Sequence, residues 1–480
     1  MARAKVVIGL EVHVQITGTR TKLFCSCLSD YRDKPPNTNV CPVCMGYPGA
    51  LPVVNRKAVE LAVAASKALG CEVPEWLVFT RKHYFYPDLP KNYQITQYKT
   101  VAGAPVCLGG VLRYIDPADW TVKRLGLDRI NIEEDPGRAV YEKGGITSSP
   151  RVFIDYNRSG VGLLEVVTKP ELGDARSARV AVENLLLTLW YLGVTDPRLP
   201  GAFRVDANIS VEGGGGRVEL KNIGSLQEVE RALHYEILRQ TKIVEAGGSI
   251  PRETRHWDAV KGVSRPTRVK EEETDYMYFP DPDLPPVRVT RSMIVSAERK
   301  LEFTPLSMWE SMTSRGVERG LAWSIVQDLD LAKTYRQAVS IYNNPGIIAW
   351  MIGNVVKGLR DKKGYTYLPP ASDIARLAEM VDNGVIHLEM VKYVLLPKAM
   401  ERGVGIGRIL REEGARPGDA EIEKAVDEVL REESKAVNDL ISGKTQAFNY
   451  LVGMVMRKLG GKADPRIVSE FIRRKLRGFI

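Results

Sequence analysis

The sequence has no apolar run long enough to cross a membrane. A spanning helix needs roughly 18 or more consecutive apolar residues, and the longest apolar tract, Leu185–Val194, is interrupted by Thr188. The first residues, Met-Ala-Arg-Ala-Lys, lead directly into a strand pattern without the apolar core of a secretory signal. We therefore expect a cytoplasmic protein with no membrane segment.

Several common catalytic motifs are missing as well. The sequence contains no GxxxxGK[ST] phosphate loop, no GxGxxG after a strand and no GxSxG nucleophile elbow. The serine- and glycine-rich signature of amidases is also missing, so the chain is not expected to release ammonia from an amide. With 5 histidines in all, a histidine-based site is restricted to a short set: His13, His83, His234, His256 and His387.

Length and composition indicate a globular protein of several domains. A chain of 480 residues is too long for one ordinary hydrophobic core, so two to four domains are expected. The content of 44% hydrophobic and 26% charged residues excludes wholesale disorder. The net charge of +9 fits a polyanionic partner such as nucleic acid, or equally a basic surface without a partner. With 6 cysteines the chain is not a disulfide scaffold.

The pattern of residues changes twice along the chain. The first part, to about Val289, is strand-like and rich in proline and glycine turns, with helical interludes at Asn55–Leu69 and Ser177–Leu192, which predicts an α+β domain. From about Ser292 the apolar spacing becomes helical. A smaller helical unit follows from Gly405, with an acidic beginning and a basic end.

Four cysteines form a pattern that is typical of a metal site. A CxC pair and a CPxC pair are separated by 13 residues, and four thiolates from two tight turns can surround Zn²⁺ as a tetrahedron. These ligands are Cys25, Cys27, Cys41 and Cys44. Because all four positions would be filled, the zinc would be structural. The alternative is a redox pair or unrelated buried thiols. Cys71 and Cys107 lie in apolar contexts and are predicted to be small core residues.

The first strand carries a second candidate metal site. From Leu10 onward the residues alternate, so that Glu11, His13 and Gln15 share one face of the strand. Residues two apart on a strand are about 6.6 Å apart, so Glu11 and His13 can approach one ion. The alternative is a half-exposed edge strand with ordinary polar residues.

Other strands repeat this mixture of acid, amide and base on one face. One strand places Arg204, Asp206, Asn208 and Ser210 together, and another places Arg217, Glu219 and Lys221 together. A third run includes Asn131, Glu133, Glu134 and Asp135. Each alone is compatible with a solvated sheet face. Together they fit Mg²⁺ and phosphate, because Mg²⁺ prefers carboxylates, water and substrate phosphates.

Two segments join tyrosines to a rigid proline–aspartate turn. They are residues 81–94 and 275–286. A tyrosine such as Tyr84 can stack on a base, and Lys82 and Lys91 can reach a phosphate. The alternative is a pair of core strands that end in turns.

Taken in order along the chain, these motifs resemble the B subunits of the aspartyl/glutamyl-tRNA amidotransferases, the GatB family. The motifs are Gly9-Leu10-Glu11-Val12-His13, Tyr84-Phe85-Tyr86-Pro87-Asp88, Asp206-Ala207-Asn208-Ile209-Ser210, Glu219-Leu220-Lys221-Asn222, Tyr278-Phe279-Pro280 and the tail from Gly443-Lys444 to Asp464-Pro465. The resemblance covers essentially the whole chain. It implies an α+β fold: a cradle-shaped catalytic domain (1–291) with a zinc-binding insertion (25–44), an all-α helical domain (292–404) and a small all-α tail domain (405–480).

The resemblance also implies an activity and partners. The family binds a misacylated tRNA and uses ATP and Mg²⁺ to phosphorylate the side-chain carboxylate of the attached Asp or Glu. Ammonia then displaces the phosphate. The ammonia is implied to come through a tunnel from an amidase-related glutaminase A subunit, in a heterotrimer with a small C subunit.

Site residues follow from the resemblance by motif. Glu11, His13 and Glu134 match the Mg²⁺ positions, whereas strand alternation groups Glu133 with Asn131. Around the same site the resemblance places Asp206, Glu219 and the phosphate contact Lys82, and for the nucleotide we predict Tyr84, Lys91, Arg204 and Asn208. The basic tail is implied to hold tRNA, through Lys444, Lys458, Lys462 and Arg466.

Two other identities are considered. The related archaeal E subunit, specific for Glu-tRNA, has a large insertion after the Tyr-Phe-Pro motif, for which this chain has no room. A non-catalytic zinc-containing tRNA scaffold would not need the acidic and histidine-bearing strand faces. The choice between Asp-tRNA(Asn) and Glu-tRNA(Gln) is left open.

Overall fold

The chain forms two compact units, residues 1–307 and 308–480, which are described separately. The computed structural model describes residues 5–99, 105–143, 149–269, 276–413, 418–442, 444–460 and 463–477. The first unit combines strands and helices, and the described part of the second is helical. The predicted α+β class with a helical C-terminal region is therefore confirmed.

All the described strands lie in the first unit. Its strands are β1 (Val6–Gln15), β2 (Trp76–Leu77), β3 (Thr80–His83), β4 (Tyr93–Thr96), β5 (Cys107–Leu108), β6 (Val111–Asp116), β7 (Thr121–Glu134), β8 (Arg138–Tyr141), β9 (Val152–Asp155), β10 (Gly162–Thr168), β11 (Phe203–Val211), β12 (Val218–Ile223), β13 (Glu253–Asp258), β14 (Val263–Val269), β15 (Phe279–Pro280) and β16 (Val287–Arg288).

One nine-stranded sheet organises this unit. Its order is β14-β13-β12-β11-β1-β10-β7-β5, with β6 paired to β7. All of these pairs are antiparallel except β12 with β13. β1 lies between β10 and β11, so the strand with the candidate metal motif is central. The predicted alternative of an edge strand is therefore wrong.

Helices cover one face of this sheet. They are α1 (Arg56–Ala68), α2 (Ala175–Tyr191) and α3 (Leu226–Glu245), and a further helix, α4 (Arg291–Lys300), packs on α1. Leu10 and Val12 of β1 point into the same core as the apolar residues of these helices. Alternation along each strand then sends the polar residues to the other face. Helical sequence begins near the predicted residue 292, but α4 packs on the core of the first unit.

Helix starts follow from local capping. The side chain of Asn55 accepts hydrogen bonds from the backbone amides of Lys57 and Ala58, and Asp174 caps α2 in the same way. Such caps each contribute about 1 kcal/mol. The two helical interludes in the first part of the sequence are confirmed, each with ends within two residues of prediction.

A disulfide joins Cys71 to Cys107. Both are buried, as predicted, but our interpretation of them as separate small core residues is wrong. The two cysteines are 36 residues apart in sequence and are brought together by an antiparallel bridge between their neighbours Glu72 and Leu108. No local pattern in the sequence indicates this contact.

The described helices that follow α4 are mostly short. They are α5 (Pro305–Ser314), α6 (Arg319–Val326), α7 (Leu329–Ile341), α8 (Pro345–Trp350), α9 (Lys357–Lys363), α10 (Ala371–Asp382), α11 (Leu388–Met390), α12 (Leu396–Arg402), α13 (Ile406–Glu413), α14 (Asp419–Glu432), α15 (Ser434–Ile441), α16 (Gln446–Lys458) and α17 (Pro465–Lys475). Two π-helical turns, Met351–Val356 and Val391–Leu395, connect α8 to α9 and α11 to α12.

The last four helices share a small core of their own. It is built from residues such as Val426, Leu451 and Ile472. Among the described residues, none of the helices combines the length and apolar character that a bilayer crossing requires.

Candidate active site

The polar face of the central sheet carries the candidate active site. In the register of β1, Glu11 lies opposite Asp206 of β11, and His13 lies between Arg204 of β11 and Glu165 of β10. Asn131 of β7 lies opposite Glu165 on the next strand. Residues opposite one another on neighbouring strands point to the same face, so acids and bases from several strands converge there.

His13 forms the centre of this cluster. Its Nε2 atom lies 3.2 Å from Glu11 Oε1, and its Nδ1 atom lies 3.1 Å from Glu133 Oε1. The imidazole is buried, with 8% of the residue exposed. Burial and the nearby Arg204 favour the neutral ring, yet the two carboxylates prevail and raise the pKa of His13 to about 10. In the absence of a metal ion, His13 is therefore an imidazolium between two acids.

The pKa values of the two flanking acids, Glu11 and Glu133, shift in the opposite direction. Burial opposes ionisation of Glu11 and Glu133, but the hydrogen bond of each with His13 lowers its pKa below the usual range. Glu133 also accepts a hydrogen bond from Thr96 Oγ1, at 3.3 Å. The cluster thus contains two ionised carboxylates that share one cation.

Glu165 is the neutral acid of the cluster. Burial and the nearby carboxylates of Glu11 and Glu133 raise the pKa of Glu165 to about 8. Asn131 Nδ2 donates a hydrogen bond to Glu165 Oε2. Atoms of Glu11, His13 and Glu165 that can bind a metal all lie within 4.8 Å of one another. Added positive charge at that point would favour ionisation of Glu165.

Cations border the acidic cluster. Lys221 Nζ lies 3.4 Å from Asp206 Oδ2 and 3.2 Å from Glu219 Oε1. Lys82 Nζ lies 4.9 Å from the centre of the Tyr276 ring. Burial opposes the positive charge of both amines. The acids around Lys221 nevertheless raise its pKa, and Tyr84 and the nearby glutamates raise the pKa of Lys82. Both are therefore positively charged at neutral pH.

Two cavities open at this cluster. A cleft of about 430 Å³ is lined by Glu11, His13, Lys82, Tyr84, Arg204 and Asp206, among others. A smaller cavity of about 140 Å³ is lined by Glu11, Glu133, Asn131, Glu165, Glu219 and Lys221, among others. Glu11, Lys82, Glu133 and Lys221 border both cavities, so the acidic cluster lies between them.

The structure brings most of the predicted site residues together. Asp206 of β11 lies opposite Glu11, Glu219 of β12 lines the smaller cavity together with Glu11, and Arg204 and Tyr84 line the cleft. Asn208 is on the same face, opposite Glu219, but borders neither cavity described above, and its Oδ1 atom has no hydrogen-bond partner among the described residues.

Two predicted residues lie apart from the cluster. Glu134 is buried, and its carboxylate accepts hydrogen bonds from Lys91 Nζ at 2.6 Å and from the backbone amide of Ile95 at 2.9 Å. Glu133, the preceding residue, points to the opposite side of β7 and meets His13. The alternation along β7 thus continues to its end, and Glu134 with its partner Lys91 is not brought together with Glu11.

Sequence reasoning placed Glu133 and Lys221 on polar strand faces without selecting them as site residues, and it did not name Arg158 and Glu165, all of which the structure places at the cleft or cluster. For Glu165 a signal was present, because it is the one charged residue within the apolar strand Gly162–Thr168. A buried strand tolerates a lone carboxylate poorly unless partners satisfy it. Arg158 lies in a turn and has no comparable pattern.

The four predicted zinc ligands also converge. The sulfur atoms of Cys25, Cys27, Cys41 and Cys44 all lie within 4.8 Å of one another. A hydrogen bond with Cys25 and the positive charge of Lys22 lower the pKa of Cys44 to about 5. Four sulfurs at this spacing fit a closed tetrahedral zinc site. The neighbouring thiols make no disulfide with one another.

Three of the predicted tRNA-binding residues, Lys444, Lys458 and Arg466, are on the surface of the tail. Lys458 pairs with Glu428 and Glu432 of α14, at 2.9 Å and 2.6 Å, and Lys444 pairs with Asp439 at 2.8 Å. Arg466 is exposed. Lys462 lies outside the described residues. The acidic beginning of the tail therefore neutralises part of its basic end.

Comparison with known proteins agrees with this arrangement. A family model described as the GatB/GatE catalytic domain matches residues 6–295, and one described as the GatB domain matches residues 333–476. Proteins named as the B subunit of aspartyl/glutamyl-tRNA(Asn/Gln) amidotransferase are similar over nearly their whole length. The protein of Aeropyrum pernix is 51% identical over 98% of this chain and 97% of its own. That of Saccharolobus solfataricus is 43% identical over 98% and 99%, and that of Thermotoga maritima is 39% identical over 99% and 100%. The chain therefore belongs to the GatB family.

Proposed function

We propose that the chain is the carboxylate-activating subunit of a glutamine-dependent, cytoplasmic tRNA amidotransferase. In the first step, an oxygen of the Asp or Glu side chain attached to tRNA attacks the γ-phosphorus of ATP, and ADP leaves. In the second step, ammonia attacks the acyl carbon, and phosphate leaves. The observation that supports this best is the cluster of Glu11, His13, Glu133 and Glu165 beside Lys82 and Lys221, between the cleft and the smaller cavity.

The cluster fits a magnesium ion. Glu11 and Glu165 supply carboxylate oxygens, and His13 supplies the third ligand atom within 4.8 Å. When bound, Mg²⁺ neutralises phosphate charge. Glu134, the third ligand that the family pattern predicts, is held by Lys91 in this structure, so Glu165 is the better supported ligand. Glu133 would then orient His13 through its Nδ1 atom.

The surrounding cations suit a reaction that moves negative charge between oxygens. Lys82, Arg204 and Lys221 are positively charged and border the cleft. Fixed cations aimed at phosphoryl oxygens account for much of phosphoryl-transfer catalysis, along with positioning. Tyr84 and Tyr276 offer aromatic faces in the same cleft, on which a base can stack.

The supply of ammonia is assigned to a partner. This chain lacks the amidase signature, so a glutaminase A subunit with a small C subunit would deliver ammonia to the cleft. The four-cysteine cluster would hold a structural zinc ion, and the tail would hold the tRNA.

The decisive experiment is amide formation on tRNA. The full chain is reconstituted with its glutaminase and C subunits and supplied with ATP, Mg²⁺, glutamine and either Asp-tRNA(Asn) or Glu-tRNA(Gln). The amino acid released by mild base is then identified. We expect asparagine, glutamine or both. If neither tRNA gains an amide while both still bind, the chain is a tRNA scaffold instead.

Magnesium binding should depend on pH. Without metal, Glu165 has a pKa of about 8 and His13 a pKa of about 10, so each must lose a proton to become a ligand. We therefore expect the affinity for Mg²⁺ to rise as the pH increases from 6 to about 10, with proton release on binding. Calorimetry in two buffers of different ionisation enthalpy measures that release. Glu165→Gln should remove the proton released from Glu165 and leave the one released from His13, and an affinity that is independent of pH would contradict the assignment.

Charge reversal in the tail should weaken tRNA binding without affecting ATP chemistry. We expect Lys458, Lys462 and Arg466, each changed to Glu, to lower affinity for tRNA. Each lost phosphate contact should also reduce the slope of log affinity against log salt by about 1. A filter-binding assay at several salt concentrations measures both effects.

The matched control reverses three exposed cations of the first unit, Arg56, Lys57 and Arg288, and should leave tRNA affinity nearly unchanged. An unchanged affinity in the tail variant would contradict tRNA binding by this surface.

A further inference from the structure

Lys22 is an unusual residue of the cysteine region because it is completely buried, with 0% of its surface exposed. Its Nζ atom donates a hydrogen bond to the backbone oxygen of Asn39 at 2.8 Å and lies 3.7 Å from Cys44 Sγ. Lys22 forms no salt bridge with another described residue. An ammonium ion without water needs a compensating anion, and the neighbouring sulfurs are the groups that can supply one.

The charge of a metal-loaded cluster matches this need. One Zn²⁺ ion with four thiolates carries two uncompensated negative charges. An ammonium ion in contact with one sulfur removes part of this excess in a buried place, where charges interact strongly. Lys22 therefore complements the loaded cluster in both position and sign.

The same region is tied to the wall of the cleft. The backbone amide of Asn39 donates to Asn157 Oδ1 at 2.7 Å, and Ser159 Oγ donates to the backbone oxygen of Cys44 at 3.3 Å. Between these two anchor points lies Arg158, which lines the cleft of about 430 Å³. A displacement of Asn39 or Cys44 would therefore also displace Asn157 or Ser159, the two residues that flank Arg158.

A second connection passes through Gly46, two residues after Cys44. Gly46 has a φ of +68°, and a Cβ atom at this position would lie 2.4 Å from Cγ of Lys91. The turn after the last cysteine therefore packs directly on Lys91, whose amine holds the Glu134 carboxylate.

We propose that Lys22 is a positioning residue of the four-cysteine metal site, and that zinc bound there fixes Arg158 in the wall of the cleft, through Asn157 and Ser159, as well as the neighbouring Lys91. The proposal depends on the zinc ion of the proposed function but not on the reaction. Its tests therefore use metal affinity and backbone exchange, which remain informative even if no amide is formed.

The first test compares zinc affinity by competition with a chromophoric chelator. Lys22→Met in the full chain should bind Zn²⁺ roughly 10–100-fold more weakly, which is the usual effect of removing an outer partner of metal ligands. Lys34→Met is the matched control, because Lys34 Nζ bonds the side chain of the same Asn39 at 3.1 Å. It should bind zinc as tightly as the wild type. The absorption of bound Co²⁺ should show four thiolate ligands in each protein.

The second test uses the unaltered chain. Hydrogen–deuterium exchange is measured by mass spectrometry with zinc bound and after its removal. We expect zinc removal to speed exchange in peptides covering Asp155–Ser159 and Lys91, while peptides of α3 remain unchanged. Because this comparison needs no substitution, it still tests the proposal if Lys22→Met does not fold, and Lys22→Arg then tests whether the positive charge is needed.

Three results would overturn the proposal. The first is a Lys22→Met protein with the zinc affinity of the wild type. The second is faster exchange that is confined to residues 20–53 after zinc removal. The third is a wild-type chain that binds no zinc, which would also remove zinc from the proposed function.

Discussion

Replacing Glu165 by glutamine is expected to lower ATP-dependent amide formation by roughly 100-fold or more. Metal ions contribute several kcal/mol to reactions of this type, and each 1.4 kcal/mol corresponds to a factor of about ten in rate. Glutamine cannot supply the carboxylate that the proposed Mg²⁺ ion needs. The measurement is the initial rate of Asn or Gln formation on tRNA in the reconstituted complex.

The same substitution should leave the fold intact. Without metal, Glu165 is protonated at pH 7 because its pKa is raised to about 8, and glutamine resembles the neutral acid in shape and hydrogen bonding. An acid whose pKa is raised on folding stabilises the protein fully below the pKa of the unfolded chain. That contribution is lost as the pH rises toward 8. In the absence of metal, the melting temperature of Glu165→Gln relative to wild type should therefore rise between pH 5 and pH 8.

Glu236→Gln is a control with the opposite expected outcome, namely lower stability and unchanged activity. Glu236 is completely buried on α3, and its carboxylate binds Arg239 at 2.6 Å and accepts a hydrogen bond from Ser264 Oγ at 2.8 Å. It should lose about 3 kcal/mol of stability, because Arg239 is left without its full partner. Its amide formation per folded molecule should be unchanged. A Glu165→Gln enzyme with normal activity would exclude Glu165 as a metal ligand.

Reduction of the Cys71–Cys107 disulfide is expected to destabilise the first unit by about 4 kcal/mol. In the chain-entropy model, the stabilisation grows with the length of the closed loop, and the separation of 36 residues corresponds to about that value. The measurement is urea unfolding of the full chain with and without reductant. The free energy of unfolding of the first unit is taken from a signal that reports on that unit alone.

A double variant, Cys71→Ala with Cys107→Ala, provides the control. It should be destabilised without reductant and insensitive to its addition. Thiol counting gives an independent check, because the denatured, unreduced chain should show only the thiols of Cys25, Cys27, Cys41 and Cys44. Six reactive thiols before reduction, or equal stability in both redox states, would contradict the disulfide.

Features that depend on neighbours in sequence were predictable. Asn55 and Asp174 cap helices because their side chains reach amides two or three residues away. Alternation placed Glu11 with His13 and Asp206 with Asn208, since side chains along a strand point to one face at every second position. The cysteine spacing likewise limits four sulfurs to two tight turns.

Features that depend on strand order were not predictable in this way. Alternation grouped Glu133 with Asn131, but only the pairing of β7 with β10 and of β10 with β1 placed Glu133 against His13 and turned Glu134 toward Lys91. Glu165 became part of the cluster because β10 lies beside β1, although the two strands are about 150 residues apart in the chain.

The sequence alone thus determined the α+β class, two helices of the first unit, the cysteine cluster and the acidic face of β1. Only the tertiary structure decided which acids surround His13, that Cys71 meets Cys107, and that Lys458 is paired with Glu428 and Glu432. The physical reason is the range of the interactions. Capping and alternation act over a few residues, whereas ion pairs, disulfides and metal sites join side chains that only the packed sheet and helices bring together.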